Sequence, residues 1–352
     1  IHKRRGIQGN RKLDEKIEQE IVEIIRTKYH DFGPLMASEK LREIHKIIHD
    51  TETIRKIMIR HKIWIPRKKK KYEYHPWRDP RERYGELQQF DGSYHNWFEG
   101  RNLDILEACL LLSVDDATGQ ITHAVFESNE GIDAVFRFWI TYIKKHGIPG
   151  AIYLDKFSTY KINHKCAEDN SELMTQFQRA CGIIDLEIIH ANSPQAKGRV
   201  ERTFKTLQDR LVKELRLHKI QTIAEANEFL QTIFIPWFNK RYVKQPKSND
   251  NMHRSQEPIK NNLEQIFSKH SQRSVNPDYT IQFKNTWYQL KEIQPITVYK
   301  SDRVIVEQRI DGTIHIKYKD YYLNMFVLPE RPKKQRTNPL ILTTHRLNWK
   351  PA

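Results

Sequence analysis

From residue 85 onward the apolar residues fall into short runs separated by turn signals. That order narrows the fold more than any single motif. Residues 87–90 lead into Asp91 as a short strand. Residues 105–114 (ILEACLLLSV) form a long apolar run that stops at Asp115-Asp116-Ala117-Thr118-Gly119, a turn sequence. Residues 121–126 read as a third strand, so the three make an antiparallel meander. Val135, Phe136, Trp139 and Ile143 then recur at helical spacing over 132–145, and His146-Gly147 ends that helix. A short buried strand at 151–154 ends at Asp155, residues 171–181 are helical, and 186–189 form another strand. Two further helices follow, the second over 223–234 and ended or interrupted near Pro236. Three strands, then helix, strand, helix, strand, helix, helix predict a mixed sheet with helices packed on it, an α/β layer architecture.

The helix that begins after residue 192 (NSPQAKGRVERTFKTLQDR) carries the chemistry. Ser193 suits its N-cap and Pro194 its first position. Val200, Phe204, Leu207, Leu211 and Leu215 make a buried stripe. Lys197, Glu201 and Lys205 stand four apart on another face. Taken alone, that triplet reads as a Lys–Glu–Lys ladder on a solvated face. Its setting argues for more. Asp91 sits on the first strand, Asp155 at the end of the fourth, and Glu201 on the helix after the fifth. Groups at neighbouring strand ends converge in such sheets. Three carboxylates meeting at one sheet edge suit two divalent metals. Asp115 and Asp116 compete with Asp91 for the first place, although their setting has the chemistry of a structural turn.

The formal net charge of +16 over 352 residues favours a polyanionic partner. No apolar run approaches the roughly 18 residues of a membrane span, and the opening IHKRRGIQGNRK lacks the apolar core of a signal peptide. Cys109, Cys166 and Cys181 are too few and too scattered for a disulfide scaffold, and no CxxC pair suggests a zinc site. His45 and His49 lack the Glu of a HExxH site. Residues 12–27, 35–49 and 52–61 read as three short helices with tight turns. They fit a helix-turn-helix whose last helix offers Thr53, Arg55, Lys56 and Arg60 to a major groove, or else a plain three-helix packing module. Arg67, Lys68, Lys69, Lys70 and Lys71, followed by Tyr72, Tyr74 and Trp77, make an extended arm suited to a phosphate backbone or a solvated linker. Residues 243–275 are polar and proline-bearing, a linker with one short helix near 261–268. Residues 279–327 alternate strands and turns, with a hairpin signal at Asp311-Gly312, and suggest a small β-barrel.

The stretches QQFDGSYHNWFEG, SVDDATG, YLDKFSTYK and SPQAKGRVERTFKTLQDRL together resemble a bacterial insertion-sequence transposase of the retroviral-integrase superfamily, in the group long filed as "not classified yet". The resemblance covers about residues 12–330. It implies a ribonuclease-H-like catalytic domain with a DDE triad of Asp91 in FDG, Asp155 in LDK and Glu201 in GRVER, serving as catalytic residues and metal ligands. The Asp155-to-Glu201 spacing is longer than in retroviral integrases, and the extra length falls around 162–175, as a loop or short helix. The expected organisation is a helix-turn-helix domain at 12–65, a basic-aromatic linker at 66–84 and the catalytic domain at 85–242. A linker at 243–275, a small β-barrel at 276–330 and a basic tail at 331–352 complete it. Lys156, Lys197, Arg199, Arg202 and Lys205 are candidates for gripping phosphates. The resemblance implies two Mg2+ ions, with Mn2+ as a substitute. It also implies transposon-end and target DNA as partners, a homodimer or larger synaptic assembly, and a cytoplasmic, nucleoid-associated bacterial protein without membrane contact. Metal-dependent 3′-end cleavage and strand transfer would be its reaction. The rivals are a DNA-binding regulator that keeps the helix-turn-helix, and a nuclease on the same fold that does not join strands.

Overall fold

The computed structural model describes residues 13–66, 78–155, 170–191 and 198–330; for Asp155, residues 170–175 and residue 191 it describes the backbone alone. The chain divides into two compact units, one ending at Trp77 and the other starting at Arg78.

The first unit is three helices: α1 (Glu15–Lys28), α2 (Pro34–His45) and α3 (Thr51–Arg60). Asp14 and Asp50 cap α1 and α3 by accepting the backbone N–H of Lys16 and Glu52. Ile21, Val22 and Ile25 of α1 are buried with Met36, Ala37 and Leu41 of α2 and Ile54, Ile57 and Met58 of α3. Ile17 of α1 is exposed. The second helix stops four residues before the expected end, where Lys46 takes a left-handed conformation (φ 60°) and its N–H returns to the Leu41 carbonyl.

The second unit opens with β1 (Arg83–Tyr84). Its centre is a five-stranded sheet built from β2 (Leu87–His95), β3 (Ala108–Asp115), β4 (Ile121–Glu127), β5 (Ala151–Asp155) and β6 (Glu187–Ala191). The spatial order is β4-β3-β2-β5-β6. The meander β2–β3–β4 is antiparallel, whereas β5 and β6 run parallel to β2. The mixed sheet with flanking helices is therefore as expected, and the expected short first strand extends past Asp91 to His95. The long apolar run is strand only from Ala108, because residues 96–107 form turns around buried Trp97 and Phe98.

Helices α4 (Ile132–His146) and α5 (Asn170–Ile183) cover one face, where Phe90, Cys109 and Leu111 pack with Phe136, Trp139, Ile143, Phe177 and Cys181. The opposite face carries Leu110, Leu112 and Val114. It is covered by α6 (Gly198–Leu217), α7 (Ile223–Phe229), a π-helical turn (Leu230–Phe234) and α8 (Ile235–Tyr242). Pro236 does not end this last stretch: it stands in the first turn of α8, directly after the π-helical turn.

Residues 243–275, expected as a linker, are tied to the core. β7 (Ser248–Asn251) pairs with β1, and Arg254 bridges Ile148. Leu263 and Ile266 of α9 (Leu263–Ile266), together with Phe267, enter the core beneath α4 and α5. The expected barrel is two antiparallel sheets across one core of Val275, Ile281, Tyr288, Val304, Val306, Ile316 and Leu323. One sheet is ordered β13-β12-β11-β8 and the other β14-β10-β9. Their strands are β8 (Lys269–Ser274), β9 (Thr280–Phe283), β10 (Thr286–Leu290), β11 (Arg303–Gln308), β12 (Ile314–Tyr318), β13 (Tyr321–Tyr322) and β14 (Met325–Leu328). Asp311-Gly312 does turn the β11–β12 hairpin: Gly312 sits at φ 83° and the Asp311 carboxylate accepts the Thr313 N–H.

Candidate active site

The sheet register sets two of the expected acids just beyond the paired stretch of two adjacent parallel strands. β2 and β5 pair in parallel with Gln89 opposite Tyr153, and two residues further on each strand stand Asp91 and Asp155. Successive side chains alternate faces, so Gln89, Asp91 and Ser93 share one face of β2. That face lies under α6. Gln89 Oε1 accepts the Val200 N–H at 3.1 Å, and Gln208 Nε2 donates to Ser93 Oγ at 3.1 Å. The helix is thus bonded to β2 on either side of Asp91.

The same bonds orient Glu201. Residues 201, 205 and 208 share a helix face at the i, i+4, i+7 spacing. Gln208 reaches β2 from that face, so the face carrying Glu201 is the one turned toward β2. The stripe that sets this rotation is the expected one: Val200, Phe204, Leu207, Leu211 and Leu215 are all buried against β3 and β4. Glu201 itself is exposed and Asp91 half-buried. Among the described residues no group of three His, Cys, Asp or Glu is placed to hold a metal. The side chain of Asp155 is not among them.

Asp115 and Asp116, the rivals for the first position, are both fully buried. Asp115 accepts from the Thr118 N–H (2.8 Å), the Thr118 hydroxyl (2.7 Å), the Gly85 N–H (2.9 Å) and Gln88 Nε2 (3.1 Å). Burial pushes its carboxyl above the usual carboxylate range, while these bonds pull it back. Asp116 accepts from Gln89 Nε2 (2.6 Å), Arg78 Nη2 (2.5 Å) and the Arg81 N–H (2.8 Å), and lies 3.7 Å from Arg199 Nε. Both carboxylates are spent on protein donors, which is a structural role. Sequence reasoning passed over Gln88 and Gln89. The available signal was two adjacent amides at the head of a strand otherwise built for burial.

The basic candidates divide. Arg202 and Lys205 are exposed on α6. Arg199 is drawn to Asp116. In the first unit, Arg55 is paired with Glu52 through two bonds of 2.6 and 2.7 Å, Lys56 stands 3.9 Å from the same carboxylate, and Arg60 holds Glu18. His61 and Arg60 together keep the Glu18 carboxyl below its ordinary range. Arg67, Lys68, Lys69, Lys156 and Lys197 lie outside the described residues.

Two curated proteins are similar along nearly the whole chain. "Putative transposase y4bF" of Sinorhizobium fredii (strain NBRC 101917 / NGR234) is 36% identical over 349 residues, covering 99% of this chain and 74% of that protein. The transposase for insertion sequence IS1202 of Streptococcus pneumoniae is 30% identical over 400 residues, covering 96% of this chain and 83% of that protein. The chain belongs to the insertion-sequence transposases. No protein-family model matches this transposase. Among solved structures, the catalytic core of BIV integrase aligns with 45% of the transposase and 85% of its own chain, at 18% identity and a TM-score of 0.30. The HTLV-2 integrase catalytic core in complex with magnesium aligns with 49% of the transposase and 97% of its own chain, at 19% identity and a TM-score of 0.33. The family rests on the two sequence relatives. Among the described residues no helix of the transposase is long and apolar enough to cross a membrane.

Proposed function

We propose that this transposase cuts DNA at the ends of its element and joins them to target DNA, using Asp91, Asp155 and Glu201 as a DDE triad. The observation that carries the reading is the register. Asp91 and Asp155 stand at corresponding positions of adjacent parallel strands, and α6 turns the Glu201 face toward the strand that bears Asp91. Two carboxylates on rigid strands and a third on a bonded helix fit a pair of hard divalent cations, which take oxygen ligands. Two Mg2+ ions held by these carboxylates, or Mn2+ in their place, would activate the attacking oxygen and neutralise charge on the leaving one.

The chain's own residues supply the rest. With water as nucleophile the site nicks at the transposon end; with the freed 3′-hydroxyl it joins that end to a target strand. No covalent protein–DNA intermediate is needed. Arg202 and Lys205, exposed beside Glu201, bind phosphates flanking the scissile one, with Lys156 and Lys197 assigned the same role. Arg199 contributes less to DNA, because Asp116 already engages it. The three-helix unit recognises the element's ends as a helix-turn-helix. Arg55, Lys56 and Arg60 then exchange their glutamate partners for phosphate or base edges, while Arg67, Lys68 and Lys69 follow the backbone. Joining two ends calls for at least a dimer, working on the bacterial nucleoid.

The test mixes the purified chain, Mg2+ and DNA carrying the element's terminal repeats, and resolves nicked and joined products. Glu201→Gln is expected to lose both products while still shifting the DNA in a gel. Nicking that survives in Glu201→Gln removes the site assignment. Nicking by the wild-type chain without joining identifies a nuclease, and binding without nicking identifies a regulator.

A further inference from the structure

We infer that Gln89 and Asp116 form a buried relay that positions Glu201, and that metal affinity depends on it. The inference rests on the reading of Glu201 as a metal ligand. The Gln89 side chain is 1% exposed and that of Asp116 is fully buried, so neither touches DNA and both act only through other groups. Gln89 spans two partners: its Nε2 donates to Asp116 Oδ1 at 2.6 Å and its Oε1 accepts the Val200 N–H at 3.1 Å. The first N–H groups of a helix have no partner within it. One of those on α6 is satisfied here from a strand of the sheet.

The orientation of the Gln89 amide is fixed by Asp116. A flipped amide would aim its oxygen at the carboxylate and its NH2 at the Val200 N–H, losing both bonds. Asp116 is anchored in turn by Arg78 Nη2 and the Arg81 N–H, and it attracts Arg199, the residue before Val200. The first turn of α6 is therefore held twice, once through its backbone and once through Arg199. The consequence follows from position. Gln89 lies two residues before Asp91 on the same strand face, and Val200 immediately precedes Glu201. One amide thus fixes the distance between the strand bearing one carboxylate and the helix turn bearing another. A further bond between these elements, Gln208 to Ser93, lies two turns along the helix and does not orient its first turn.

The experiment uses the full chain and Mn2+ as the probe. Amide hydrogen exchange is followed at Val200, Mn2+ binding is read by electron paramagnetic resonance, and nicking is assayed alongside. Gln89→Met removes both bonds at similar volume. It is expected to speed Val200 exchange about tenfold, the value of one hydrogen bond. It should also weaken Mn2+ binding by about 10- to 100-fold, as loss of a partner behind a ligand does. Unchanged Mn2+ binding in Gln89→Met, with Glu201→Gln weakened, overturns the relay and leaves the metal reading intact. If Glu201→Gln also binds Mn2+ like wild type, the reading of Glu201 falls and the relay with it. Should Gln89→Met not fold, the reciprocal swap decides. Gln89→Glu sets two carboxylates together, and adding Asp116→Asn restores a donor–acceptor pair. Recovery of Mn2+ binding in the double variant supports the relay, and no recovery overturns it.

Discussion

Asp115→Asn separates a structural aspartate from a catalytic one. The carboxylate is fully buried and accepts four bonds, two on each oxygen, from the Thr118 N–H and hydroxyl and from the Gly85 N–H and Gln88 Nε2. An asparagine must present its NH2 to one of these donor pairs. On the Thr118 side the hydroxyl can rotate and accept, but the backbone N–H is stranded. On the other side the Gly85 N–H is stranded. Gln88 cannot turn to help, because its Oε1 already accepts from Ser113 and Thr122. Each stranded buried donor costs about 1–3 kcal/mol. The neutral amide recovers part of this, since burial disfavours the charged Asp115 carboxylate. The expected net loss is about 2 kcal/mol, which for a unit of this size lowers the melting temperature by about 4–8 °C. Calorimetry measures the melt, and the terminal-repeat assay at 25 °C measures nicking by the folded variant. A melt within 1 °C of wild type would refute the hydrogen-bond accounting. The expected melt together with nicking reduced to background would refute the structural role and restore Asp115 as a rival to Asp91.

Acid should destabilise the second unit through its buried histidines. Burial holds His123 down to about 3 and His253 to about 4, against about 6.5 in an unfolded chain. The folded state then binds fewer protons than the unfolded one, so stability is complete above pH 6.5 and is lost as pH falls toward those values. Each such histidine contributes a slope of about 1.4 kcal/mol per pH unit. His123→Phe, which can keep the ring contact with Phe138 at a centroid distance of 4.6 Å, should flatten the fall in melting temperature between pH 7 and 5. An unaltered slope would show that His123 titrates normally. Leu207→Ala, in the fully buried stripe of α6, should cost about 2–5 kcal/mol in chemical denaturation. A loss under 1 kcal/mol would mean that α6 is not seated on the sheet as described.

The parts of this chain that were legible are those whose signal is local. The α6 stripe from Val200 to Leu215, the β2–β3–β4 meander and the Asp311-Gly312 hairpin each state their geometry through helical spacing, apolar runs or turn chemistry among residues near in sequence. What escaped depends on partners far apart in sequence. Leu263, Ile266 and Phe267 are too few, inside a polar proline-bearing stretch, to announce a core segment, yet they fill the space under α4 and α5. Pro236 looked like a stop because the π-helical turn before it, which carries the chain into α8, has no sequence mark. The aspartate doublet is the sharper case. As a local string, DDATG reads as a turn with two spare carboxylates. Antiparallel register sets Gln88 opposite Asp115, and the adjacent amides of β2 then take the adjacent aspartates one each. A carboxylate's role follows from which donors the register brings to it. Asp116 is therefore tied to α6 through Gln89, and its oxygens are taken up by protein donors.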